Sequence, residues 1–194
     1  MDSIAAVEAT ASTPSFLEGC SNVNLPFSTS IRAGLEPYAG LEIQGDLSTS
    51  CGYMVMVGLG GRVEHGSDFT GIQLTGRYVY PDGTMSAPGD KYYGTMPNGP
   101  EKYVQIPAGN AVVGVSIGQL DDNVNRIELR YRQVTVVNGV LQLTGPVYTA
   151  TAGTGTPEVS YTISGNDTQV VVGAGFRSAV DKVKTMQLDL ASLQ

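Results

Sequence analysis

The chain has 194 residues, of which 41% are hydrophobic and only 15% are charged, and it contains 25 glycines. This composition excludes a disordered chain and favours one folded domain with many turns. The net charge of -7, with 11 Lys and Arg residues spread thinly, excludes a basic surface for phosphates, so no nucleic-acid partner is expected. No apolar run is long enough to span a bilayer.

The first 14 residues are rich in Ala, Ser and Thr, which predicts a flexible or loosely held tail. They lack the basic and apolar regions of a signal peptide, but leaders are removed as chains mature, so the sequence is compatible with a cytoplasmic or a secreted protein and the localisation stays unknown. Residues 15–194 are predicted to form a single domain. Cys20 and Cys51 form either one disulfide or two buried thiols, and the sequence does not separate these alternatives.

One pattern occurs three times along the rest of the chain. Segments 67–74, 122–129 and 181–188 each begin with Asp or Ser, have apolar residues at the third and sixth positions, and end in Leu. A glycine that follows apolar residues precedes each segment by eight or nine positions, at Gly58, Gly114 and Gly173. Each unit is therefore predicted to contain a buried strand, a glycine-hinged loop and a second strand with alternate residues facing inward.

Turn signals follow the first two units. Asp82-Gly83 and Asn138-Gly139 are strong hairpin signals, because both central residues of a type I′ turn need positive φ. The third unit ends before a comparable turn, so its sheet is predicted to take strands from the N-terminal 50 residues.

The sequence thus predicts an all-β domain with repeats over about 15–75, 76–130 and 131–194. A helix over 180–190 is the alternative for the last unit, since Val183, Met186 and Leu190 have helical spacing. A strand is favoured there, because the same pattern in unit two continues into a run of β-forming residues.

Three such units of about 55 residues resemble the β-prism proteins, in particular jacalin-related lectins and the vitelline membrane outer layer type. The resemblance extends over roughly residues 52–190. It implies a pseudo-threefold β-prism of three antiparallel sheets, with the N-terminal segment completing the last sheet. Jacalin-like lectins carry a Gly-x-x-x-Asp loop whose Asp and backbone amides hold neighbouring sugar hydroxyls.

Only unit two matches this loop in full, at Gly118-Gln119-Leu120-Asp121-Asp122. Unit three has Arg177 in place of the glycine but retains Asp181, and unit one has Val63 and Ser67 in place of both residues. The ligand-binding residues implied by the resemblance are Gly118, Gln119, Leu120, Asp121, Asp122 and Asp181. The alternative is that Asp122 and Asp181 only form turns by bonding to their own backbone.

Aromatic residues for sugar stacking must be tyrosines, because the chain has ten Tyr and no Trp. Tyr92, Tyr93, Tyr103 and Tyr148 combine a ring face with a hydroxyl, as sugar-binding surfaces require. Half-buried strand positions are the alternative for each of them.

Catalytic chemistry has little support in this sequence. His65 is the single histidine, and no Cys–His pair, phosphate loop or nucleophile elbow is present, so no enzyme and no cofactor are expected. Asp121 and Asp122 lack the further oxygen ligands that Ca²⁺ needs, so no metal site is expected. The implied function is a carbohydrate-binding lectin with glycans or glycoproteins as partners, and a homo-oligomer is compatible with it. The alternative is a non-catalytic structural or receptor-binding, toxin-associated module on the same scaffold.

Overall fold

The structure is a computed structural model, and it describes residues 27–33, 53–63, 68–94, 102–153, 155–179 and 182–193. These residues form eleven β-strands and no helix, so the described part of the chain contains no helix that could cross a membrane. The strands are β1 (Phe27–Ala33), β2 (Tyr53–Val63), β3 (Phe69–Val79), β4 (Gly89–Gly94), β5 (Lys102–Gln105), β6 (Asn110–Leu120), β7 (Asn123–Val137), β8 (Val140–Ala152), β9 (Val159–Ser164), β10 (Gln169–Ala179) and β11 (Lys182–Ser192).

The strands form three antiparallel sheets. The first has the order β4-β3-β2-β5 and the second the matching order β8-β7-β6-β9. In the third sheet, of order β1-β11-β10, the N-terminal strand β1 pairs with β11 and takes the position that β4 and β8 hold in the other sheets. The all-β, pseudo-threefold arrangement and the completion of the last sheet by the N-terminal segment are therefore confirmed.

The sheets do not coincide with the predicted repeats. They use residues 53–105, 110–164, and 169–192 together with β1, whereas the predicted boundaries at about 75 and 130 fall inside β3 and β7. The predicted tail, residues 1–14, lies outside the described residues, and so do both cysteines. A single domain over 15–194 stays a prediction.

The core lies where the inner faces of the three sheets meet. The inward positions expected from the repeated pattern are all buried: Ile72 and Leu74 on β3, Ile127 and Leu129 on β7, and Met186 and Leu188 on β11. Burying one such side chain contributes roughly 1.5–3 kcal/mol. Because β11 supplies its residues at a period of two, the strand prediction for this segment is confirmed and the helix alternative is wrong.

Gly58, Gly114 and Gly173 lie inside β2, β6 and β10, not in loops as the sequence predicted. In each strand the register skips the residue just before the glycine, so each of the three strands has a β-bulge at the equivalent position. A Cβ on Gly58 would overlap the Tyr103 hydroxyl of β5, and one on Gly114 would lie 2.8 Å from the Ile163 oxygen of β9. These two glycines therefore let an edge strand approach closely.

The two predicted hairpins both occur, but only one has a type I′ turn. Asn138 and Gly139 have φ of 53° and 77° and connect β7 to β8, as predicted. Of Asp82 and Gly83 only the glycine has positive φ, 84°. The Gly83 N–H donates to the Tyr80 oxygen at 2.8 Å, the pattern of a longer loop that ends in a left-handed glycine.

Candidate carbohydrate-binding site

The segment that matches the lectin loop is the end of a strand followed by a tight turn. Gly118, Gln119 and Leu120 belong to β6, and Leu120 pairs with Asn123 of β7. Asp121 and Asp122 have φ of 49° and 61°, which defines a two-residue type I′ turn. Asp tolerates this left-handed conformation better than most residues. Both Asp residues are exposed, so the two carboxylates are presented at the tip of the β6–β7 hairpin.

The space above Gly118 is filled by the chain itself. A Cβ there would lie 2.6 Å from the Pro157 Cβ and 3.2 Å from the Arg126 Cβ. Pro157 belongs to the segment that connects β8 to β9, and its neighbour Glu158 donates its N–H to the Gln119 oxygen at 2.8 Å. The surface of Gly118 is therefore covered by Pro157, although the resemblance implied that Gly118 is a ligand-binding residue.

Two lysines of β11 attach the third sheet to the other two near this turn. The buried Gln119 donates its Nε2 to the Lys184 oxygen at 2.5 Å, and Lys184 Nζ donates to Asn123 Oδ1 at 2.5 Å. Lys182 Nζ lies 2.7 Å from Asp68 Oδ2 at the start of β3. The base of the acidic turn is thus held by contacts between sheets, which makes the turn a well-positioned element.

A second bulge occurs at equivalent positions of all three sheets. The register skips Thr70 in β3, Asn125 in β7 and Lys184 in β11. Asn125 is completely buried, and neither its Oδ1 nor its Nδ2 has a hydrogen-bond partner. A Cβ on Gly155 would lie 2.7 Å from this Nδ2, so the amide lies directly beneath the segment that also carries Pro157.

Asn125 is a candidate functional residue that the sequence analysis missed. An orphaned buried amide is costly, by about 1–3 kcal/mol, and offers one acceptor and two donors to a partner. A bulge position depends on strand register, so no local sequence signal could identify it. A trace lies in a distant part of the sequence, at Gly153-x-Gly155, because these glycines pack against Asn125.

The other residues that the sequence analysis singled out lie partly outside the described residues and partly on other strands. Asp181, Ser67 and His65 lie outside the described residues. Tyr148 of β8 is 51% exposed and stacks on Tyr131, with 5.6 Å between ring centroids. Tyr92 and Tyr103 belong to β4 and β5 of the first sheet, and the side chain of Tyr93 is not described. The described residues contain no group of three or more His, Cys, Asp or Glu arranged for a metal ion.

No protein-family model matches the chain, and no curated protein matches its sequence. Solved structures do share its fold. Malaysian banana lectin is 11% identical with a TM-score of 0.51, over 87% of this chain and 99% of the lectin. The prostate-specific WGA16 glycoprotein lectin is 14% identical with a TM-score of 0.52, over 84% of this chain and 99% of that one.

A third similar structure is not described as a lectin. The mosquito-larvicidal Cry4Aa toxin from Bacillus thuringiensis is 9% identical with a TM-score of 0.54, over 86% of this chain but 33% of the toxin chain. At such identities the likeness concerns the fold alone. The arrangement of three sheets is the β-prism that the sequence predicted.

Proposed function

We propose that this chain is a lectin that binds glycans at the tip of the β6–β7 hairpin. The observation that carries the proposal is the acidic type I′ turn of Asp121 and Asp122, exposed on a base that contacts between sheets hold in place. Carboxylates accept strong hydrogen bonds from sugar hydroxyls, each worth roughly 1.5–3 kcal/mol. The fold that this chain shares with solved lectins supports the same ligand class.

Within this proposal the predicted residues have different tasks. Asp121 and Asp122 contact the sugar, whereas Gly118, Gln119 and Leu120 form the strand end that presents them. Gly118 does so by accommodating Pro157, and Gln119 by its bond to β11. Asp181, at the corresponding position of the third unit, is the proposed residue of a second, weaker site. The proposed function is binding, and it assigns no catalytic role to any residue.

One other function has a specific observation in its favour. The likeness to part of the Cry4Aa toxin supports a receptor-binding module whose partner is a protein or cell surface. The same hairpin tip would then contact protein instead of sugar. The two proposals differ in whether a free monosaccharide or oligosaccharide competes with binding.

A glycan array with free-sugar competition tests the proposal. We expect binding to a defined glycan class, abolished by the competing sugar and weakened at least about tenfold in Asp122→Asn. Asp167→Asn is the matched control, because the Asp167 side chain is 99% exposed in another turn and should leave binding unchanged. Silence across a broad array would refute the lectin proposal. Glycoside turnover that depends on a single carboxylate would show that the chain is an enzyme.

A further inference from the structure

The outer face of the first sheet carries an arrangement of polar and aromatic side chains that the hairpin site does not use. Gln73 and Thr75 alternate with the core residues of β3 and therefore lie on the outer face. Strand register places Tyr92 of β4 opposite Gln73 and Asp90 of β4 opposite Thr75. On the other side β2 has glycines at the paired positions, and the ring of Tyr103 reaches across it from β5.

The hydrogen bonds along this face form a chain in which Gln73 and Tyr103 donate to Thr75 and Thr75 donates to Asp90. Thr75 Oγ1 donates its only proton to Asp90 Oδ1 at 2.6 Å. Tyr103 Oη lies 2.5 Å from Thr75 Oγ1 and must therefore be the donor of that pair. Burial raises the pKa of Tyr103 above its ordinary value, which keeps this donor protonated. Gln73 Nε2, at 3.4 Å, donates to the same threonine oxygen.

Two acceptors remain beside an exposed ring. Gln73 is 5% exposed, and its Oε1 has no hydrogen-bond partner. The second carboxylate oxygen of Asp90 accepts only a long hydrogen bond, 3.5 Å, from the Tyr92 hydroxyl and has a lone pair for a further donor. Tyr92 itself is 54% exposed. The face thus offers two acceptors next to an aromatic surface.

We propose that Gln73, Asp90, Tyr92 and Tyr103 form a further carbohydrate site, separate from those of Asp122 and Asp181, which binds one sugar ring on the outer face of the first sheet. Sugar hydroxyls supply the donor that Gln73 Oε1 lacks and a further donor to Asp90 Oδ2, and the apolar face of the ring packs on Tyr92. A sugar hydroxyl can also accept a hydrogen bond from the Tyr92 hydroxyl. An ammonium ion, the other ligand that acceptors beside an aromatic ring would attract, can only donate. The ligand class rests on the proposed lectin function, but the site shares no residue with the hairpin tip.

The test is an NMR titration of the full ¹⁵N-labelled chain with the methyl glycosides of mannose, glucose, galactose and N-acetylglucosamine. For at least one glycoside we expect saturable shifts of the amides of residues 73–75 and 90–92, and these shifts should persist in Asp122→Asn. Asp90→Asn and Tyr92→Ala should each weaken this binding at least about tenfold. Tyr148→Ala is the control, since Tyr148 is similarly exposed on another sheet.

Three outcomes would overturn the inference: no saturable shift at these amides with any of the glycosides, shifts caused by tetramethylammonium but not by a sugar, or unchanged affinity in Tyr92→Ala. Asn at position 90 still accepts the Thr75 proton, and unchanged melting temperatures will verify that both variants fold. If the amides of residues 120–123 do not shift while those of 73–75 and 90–92 do, the result counts against the hairpin site and supports the site on the first sheet. The two proposals therefore fail separately.

Discussion

Replacing Asp121 by Asn and Asp122 by Gly should make the protein more stable and remove the sugar binding that we propose for the hairpin tip. Both aspartates have left-handed φ, 49° and 61°, which costs an ordinary L-residue about 1–2 kcal/mol. Asn-Gly is the favoured pair for a type I′ turn. Asp has a smaller cost than an ordinary residue, and Gly loses about 0.5–1 kcal/mol of entropy on folding, so we expect a gain of at most about 1 kcal/mol in unfolding free energy.

Urea unfolding measures the first effect and a sugar titration the second. Binding at the tip should fall at least about tenfold, because both carboxylates are gone. The reverse change in the other type I′ turn of the sheet, Gly139→Asp, should cost a similar stability and leave sugar affinity unchanged. A stabilised double variant that binds like the natural chain would refute the contact by these carboxylates. A destabilised one would refute the turn argument.

Three further predictions concern what holds the scaffold together. Gly60→Ala should cost about 1–3 kcal/mol in urea unfolding, because its Cβ would overlap the β5 backbone, whereas Gly89→Ala, with open space around it, should be close to neutral. Lys182→Met should cost about 1–3 kcal/mol, since it leaves the Asp68 carboxylate, 12% exposed, without its ion pair, and Lys182→Arg should retain most of the stability. Burial raises the pKa of Tyr103 above 10.0, so it contributes stability that is complete below pH 10.0 and lost as the pH rises through the folded-state pKa. Tyr103→Phe should reduce that alkaline decline in unfolding free energy, and an equal decline in both proteins would contradict this.

The parts of the fold that the sequence predicted rest on local patterns repeated at equivalent positions. Alternating apolar residues identified β11 as a strand, and Asn138-Gly139 identified a turn whose φ values only a few residue types adopt. The missing third hairpin predicted that an N-terminal strand completes the last sheet, as β1 does. These features follow from periodicity and backbone sterics, which a single sequence contains.

The candidate sites depend instead on which strands lie side by side. Pro157 lies against Gly118 although 39 positions separate them, a spacing that no motif encodes. Asn125 is orphaned only because a bulge turns it beneath the β8–β9 connection. Gln73 and Asp90 become neighbours through the β3–β4 register. Contacts between strands that are distant in sequence therefore could not be predicted from local patterns, and only the three-dimensional structure gives them.

The three equivalent bulges show that a pseudo-threefold backbone carries different side chains at matching positions. In the third sheet the bulge residue is Lys184, whose Nζ bonds to Asn123, so this unit uses its bulge to attach itself to the second. In the second sheet the bulge residue is Asn125, whose amide makes no such contact. Only this unit combines a described acidic turn with an orphaned polar group. In the first sheet the bulge residue is Thr70, whose buried Oγ1 also has no partner. The three equivalent positions therefore carry three different side chains, and a threefold backbone does not imply three equal sites.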